Sequence, residues 1–113
     1  MKIEDLSTTE QRALPKVLAY WVAHWDWECP TLFGLEKSDL EAVLASWPAS
    51  LSSQEETAAL AIIGSLRELL YGASAAPKSE LPAICGLAYK EASALTDRLF
   101  PRISEVLDGK KEA

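Results

Sequence analysis

The sequence predicts an all-α fold: a single compact bundle of four to six helices around a central helix at about residues 54–71. Three observations carry this. Capped helix starts recur along the chain. Apolar residues follow them at spacings of three and four. No segment alternates apolar and polar residues with β-branched enrichment, so strands are not expected. A chain of 113 residues supplies one core, and residues 1–113 are read as one helical domain whose last residues, 108–113, fray.

The first start is Ser7-Thr8-Thr9-Glu10, a capping box in which the serine hydroxyl and the glutamate carboxylate satisfy free backbone amides. Leu14, Val17, Leu18, Trp21, Val22 and Trp25 follow as one apolar stripe. Pro15 either kinks this helix or occupies the first turn of a second one. Cys29-Pro30 ends the run, because the residue before proline avoids the α region. Residues Thr31 to Lys37 read as a loop. Ser38-Asp39-Leu40-Glu41 is a second box, opening a short helix with Leu40, Val43, Leu44 and Trp47 that Pro48 stops.

A third box lies in Ser52-Ser53-Gln54-Glu55-Glu56 and opens the central helix. There Leu60, Ile63, Leu66 and Leu70 lie on one side with Ile62 and Leu69 beside them, an arc broad enough for neighbours on more than one side. Gly72 is expected as a left-handed stop. Ala73 to Pro82 is a connecting loop, and Leu87 to Leu99 a further helix. Pro101 is expected either to kink that helix or to open a last one carrying Ile103, Val106 and Leu107. No internal repeat is evident.

Composition narrows function by exclusion. The net charge is -6, from 17 acids against 11 bases, which disfavours direct nucleic-acid binding and anionic membrane surfaces, both held by Lys and Arg. The acidic start Met1-Lys2-Ile3-Glu4-Asp5-Leu6 is not a secretory signal, and no run approaches the ~20 apolar residues of a spanning helix, so a cytoplasmic location is expected. Cys29 and Cys85 read as buried, reduced thiols.

One histidine, His24, and two distant cysteines provide no structural zinc set, and no Asp-x-Asp-x-Asp-Gly loop is present, so neither metal nor cofactor is expected. A His24/Cys29 nucleophile pair is disfavoured by its spacing and by Pro30. Gly-rich phosphate loops and nucleophile elbows are absent from the sequence. Acid pairs Asp39/Glu41 and Glu55/Glu56 sit at helix starts, where carboxylates complement the helix dipole. No residue is assigned a catalytic role, and a non-enzymatic protein is expected.

The charge is uneven. Residues 1–56 hold ten acids and four bases, while residues 57–113 hold seven of each. Between Asp26 and Glu56, seven acids face Lys37 alone, together with Trp25, Trp27, Phe33 and Trp47. Aromatic anchors in an acidic field suit capture of a basic protein: the rings provide hot spots and the acids steering. Helix starts attract acids in any case, and Trp21, Trp25 and Trp47 lie on apolar stripes as core residues. Trp27 falls on the opposite side with Tyr20 and His24 and is the tryptophan expected to be exposed. The candidate contact residues are Asp26, Trp27, Glu28, Glu36, Asp39 and Glu41, with Glu55/Glu56 as a possible extension.

The stretches Trp25-Asp26-Trp27-Glu28-Cys29-Pro30-Thr31-Leu32-Phe33-Gly34-Leu35 and Leu66-Arg67-Glu68-Leu69-Leu70-Tyr71-Gly72 occur in a small, acidic, motif-poor chain. In these respects it resembles the immunity proteins of bacterial contact-dependent growth inhibition, a class of polymorphic toxin system. The resemblance implies a cytosolic inhibitor that binds the C-terminal domain of a cognate toxin as a monomer in a 1:1 complex. Such toxins are often nucleases with basic substrate sites. The alternative is a helical adaptor or regulatory domain that binds a basic or helical peptide. A small enzyme working with carboxylates alone is a third reading; it requires a concave pocket holding a strongly shifted carboxyl group.

Overall fold

The computed structural model describes the backbone of residues 1–112 and the side chains of residues 1–109. Within them the fold is all-helical. The helices are α1 (Thr8–Ala23), α2 (Cys29–Phe33), α3 (Lys37–Ala45), α4 (Ser50–Ser53), α5 (Glu55–Tyr71), α6 (Leu81–Cys85) and α7 (Tyr89–Glu112), with a 3₁₀ turn at Lys78–Glu80. Seven helices replace the expected four to six because three of them, of only four or five residues, are too short to show a period.

α5 is the central helix, touching α1, α2, α3, α4 and α7. Its deepest face is rotated from the expected one. Ala58, Ala59, Ala61, Ile62, Leu66 and Leu69 are inaccessible, whereas Leu60 and Ile63 are half-buried. Three alanines on the inner face let neighbouring helices approach closely, which a count of large apolar residues does not reveal.

Ser7 caps α1 as expected: its hydroxyl accepts from the Glu10 amide at 3.1 Å, and the Glu10 carboxylate accepts from the Ser7 amide at 2.8 Å. Glu10 also pairs with Arg98 of α7. Arg102, one turn on, donates to both carboxylate oxygens of Asp5 and to the Lys2 carbonyl. That fork holds the Asp5 carboxyl below its ordinary range. α1 ends at Ala23, so Trp25 lies in the following loop.

Neither Pro15 nor Pro101 opens a helix; each lies inside a continuous one. An interior proline costs ~3 kcal/mol. Here buried residues on both sides offset it: Leu14, Val17 and Leu18 around Pro15, Leu99 and Ile103 around Pro101. The final helix begins at Tyr89 instead of Leu87 and runs without interruption to Glu112, across residues expected to fray; Ala113 lies outside the described residues.

Three further expectations change. The second box is displaced: Asp39 accepts from the Glu36 amide at 2.8 Å, making Glu36 and not Ser38 the cap of α3. The third does not form, because Ser50–Ser53 are already helical and Gln54 breaks the chain between α4 and α5. Gly72 is extended, with φ -76° and ψ 173°; the left-handed glycines are Gly34 (φ 69°) and Gly86 (φ 84°).

Those two glycines expose a repeat that the sequence reading missed. A helix, a five-residue helix with proline second, a left-handed glycine, a leucine and another helix occur in the order α1–α2–Gly34–Leu35–α3. The order recurs as α5–α6–Gly86–Leu87–α7. Glu28 and Glu80 precede the short helices. As Asp39 serves Glu36, so Glu91 accepts from the Ala88 amide at 3.0 Å. Buried Ala13, Leu14, Val17, Leu18 and Trp21 of α1 have the same spacing as Ala61, Ile62, Ser65, Leu66 and Leu69 of α5. The units interlock: α2 packs on α5, and α6 packs on α1. The repeat escapes a sequence search because few identities coincide and the link before the short helix is longer in the second unit.

Candidate functional site

The candidate segment runs from the loop after α1, through α2, into the first turns of α3. Phe33 anchors it. Its ring lies 5.7 Å from Trp21 and 5.3 Å from Trp25, both edge to face, and against the bare backbone of Gly64 on α5. Trp21 is in turn fixed by its indole N–H, which donates to the Ser65 carbonyl at 2.9 Å. α2 is therefore held on a rigid aromatic floor. Residues 31–33, expected as loop, are helical because Pro30 suits a first helical turn and Gly34 supplies the left-handed exit.

At the start of α2, Asp26 accepts from the Glu28 amide at 2.9 Å and lies 3.4 Å from the Cys29 sulfur. It closes the turn that leads into the helix. Burial pushes the Cys29 thiol up, and it does the same at Cys85. Both thiols are free and buried, as expected. Between Asp26 and Glu28, Trp27 projects into solvent at 85% exposure, the most exposed large apolar residue described.

The six expected contact residues form two groups separated by α2. Asp26, Trp27 and Glu28 surround its start; Glu36, Asp39 and Glu41 lie at the start of α3. Glu28, Glu36 and Glu41 are exposed; Asp26 accepts from the Glu28 amide, and Glu36 and Asp39 form the reciprocal capping box of α3. Among the described residues, none of these five carboxylates has an ion-pair partner; the ion pairs involve Asp5, Glu10 and Glu55. Glu55 is held by the Met1 amino group, which withdraws it from the proposed extension.

The aromatic set also contracts. Phe33 is buried, Trp25 is half-buried, and half-buried Trp47 lines a separate depression with Arg12 and Pro15. Of these four rings, Trp27 alone is fully exposed. No group of three or more His, Cys, Asp or Glu side chains is placed to hold a metal among the described residues.

Sequence reasoning missed the cleft beside this segment. A depression of about 290 Å³ lies between α2 and α5, with Leu32 (52% exposed), Ile63, Gly64, Arg67 and Glu68 around it. Its available signal was Gly64, a lone glycine within a strongly apolar helix, where close approach of another chain segment is the usual reason. No described helix is long and apolar enough to cross a membrane. Comparison of the chain with family models, with curated proteins and with solved structures found no match.

Proposed function

We propose that this chain is a non-enzymatic immunity protein that binds and neutralises the C-terminal domain of a cognate toxin, a nuclease with a basic substrate site. The observation that carries the reading is Trp27, fully presented on a rigid turn and flanked by carboxylates without ion-pair partners. A large ring of this kind is the usual centre of an interface hot spot. The surrounding Glu28, Glu36 and Glu41 supply attraction toward Lys and Arg that otherwise hold phosphates, and such steering raises association toward ~10⁸–10⁹ M⁻¹s⁻¹ at low salt. Binding is 1:1 and cytoplasmic in this reading, and it involves no nucleic acid, membrane or cofactor.

The test co-expresses this chain with the C-terminal domain encoded by its upstream neighbour and follows bacterial growth. Specific rescue from a lethal domain supports the reading; a harmless domain, or killing that continues regardless, rejects it for that pair. Glu28→Lys with Glu41→Lys then examines the surface without touching the Glu36 and Asp39 side chains that close the start of α3. Protection should weaken and association slow, with the helical circular dichroism unchanged. Intact protection removes the acidic segment from the interface. The adaptor reading draws on the open cleft beside Leu32 and predicts modest, reversible affinity for a peptide. Affinity separates the two, since an immunity protein must hold one partner very tightly.

A further inference from the structure

The two interlocked units meet at a single residue. α4 ends and α5 begins at Gln54, whose backbone, with φ -133° and ψ 46°, makes the break. Helical hydrogen bonding reaches Gln54 from both sides. Its amide donates to the Ser50 carbonyl at 2.9 Å, and its carbonyl accepts from the Ala58 amide at 2.8 Å. Between those bonds the ladder is interrupted. The Glu55, Glu56 and Thr57 amides do not reach the Leu51, Ser52 and Ser53 carbonyls, and no side chain caps α5. A helix start left open beside an open helix end is a junction that gains hydrogen bonds by straightening.

The contacts that close the fold lie across this junction. α2 and α3 pack on α5, and α6 packs on α1. The Trp21 indole donates to the Ser65 carbonyl, Phe33 rests on Gly64, and Asp5 pairs with Arg102. Each contact joins a residue before Gln54 to one after it, so a second copy of the chain offers the same surfaces. α4 itself moves with the first unit, because the buried Ser50 hydroxyl donates to the Val43 carbonyl of α3 at 2.8 Å. Gln54 is thus the point about which the units separate.

We propose that the chain exchanges units with a second copy of itself. Gln54 becomes helical, α4 and α5 fuse over residues 50–71, and α5 to α7 pack on the first unit of the other copy. The resulting two-fold dimer contains two closed bodies, each with the contacts of the single-chain fold. Each chain also gains the three ladder bonds across the junction. The entropy of bringing two chains together opposes exchange, so concentration favours it. Each body keeps its own exposed Trp27, and the proposal does not depend on what that ring binds.

The Asp5–Arg102 pair tests this, because both side chains are at least partly exposed and they belong to different units. Asp5→Arg and Arg102→Asp each bring like charges together within a single chain. In an exchanged heterodimer of the two variants, both bodies regain opposite charges. The full-length variants are mixed, unfolded, refolded together at high concentration and examined by native mass spectrometry. Heterodimer should exceed its statistical share by roughly tenfold, through two relieved repulsions and two partly exposed ion pairs. A variant that folds poorly alone is rescued in the mixture by the same exchange. In the otherwise native chain, Gln54→Gly should lower the dimer fraction several-fold, since glycine disfavours the fused helix. Monomers alone overturn the proposal. So does a statistical mixture, which marks an ordinary dimer with Asp5 and Arg102 paired within each chain, and so does a dimer fraction indifferent to Gln54→Gly.

Discussion

The two units share a backbone plan but finish it differently. In the first, α2 and α3 carry exposed Trp27 and Leu32, and residues 1–56 hold the whole net charge of the protein. In the second, Cys85 is buried, the Lys16 ammonium nitrogen approaches Gly86 at the end of the short helix, and the long α7 lies along α5. The N-terminal segment is tied to α7 through Arg98 and Arg102. One unit thus spends its side chains on internal closure, and its counterpart leaves them outward. The lesson is that one backbone plan admits two surface finishes: both copies contribute buried residues to the shared core, while the first also exposes Trp27 and Leu32.

The comparison can be broken most severely at the paired positions Leu40 and Ala92, equivalent first-turn residues that are both buried. Leu40→Ala gives the first unit the second unit's residue without the longer helix that accompanies it. Denaturant melts should show a loss of about 2–5 kcal/mol, the range for truncating a buried leucine. A loss near zero would mean that α3 contributes little to the core, despite the burial of Leu40 and Val43.

A smaller effect is expected at the left-handed glycines. Gly34→Ala and Gly86→Ala each force a side chain into a backbone region costing about 1–2 kcal/mol. A Cβ at Gly34 meets nothing, and one at Gly86 makes only an ordinary contact with Lys16. The two substitutions should therefore cost nearly the same by thermal or denaturant unfolding. Strongly unequal costs would show that the two turns are not equivalent devices.

The smallest effect sharpens the match between α1 and α5. Ser65 stands where α1 has Val17, and its hydroxyl is buried without a hydrogen-bond partner. Ser65→Ala removes that unsatisfied group while keeping the carbonyl that receives Trp21. Stability should rise by up to about 1 kcal/mol, since an unpaired buried hydroxyl carries a desolvation cost of ~1–3 kcal/mol. A loss instead would indicate that packing of the hydroxyl outweighs its lost solvation.

Much of this frame was legible in residues whose influence is local. The Ser7/Glu10 box, the central helix and the buried stripe of α1 follow from capping chemistry and helical spacing. Trp27 was placed outward by its angular position, although α1 ends before reaching it and the exposure comes from the turn that Asp26 caps. What misled were prolines and glycines, whose meaning depends on surroundings. Pro15 and Pro101 are tolerated because core contacts flank them, and Gly72 is extended while Gly34 and Gly86 turn left-handed. At the site, the carboxylates were visible as charge, but the turn closed by Asp26 and the box formed by Glu36 with Asp39 were not foreseen there. Nor was the cleft, which exists only when α2 and α5 meet from distant parts of the chain.

Trp27 also has an optical consequence. Trp21 is buried, Trp25 and Trp47 are half-covered, and Trp27 alone is immersed in water, so it supplies the red edge of the protein's emission and the fraction most open to an aqueous quencher. Any partner that covers this ring should move the spectrum to the blue and protect it from acrylamide. Association can then be followed in real time on the unlabelled chain, with Trp27→Phe as the dark control.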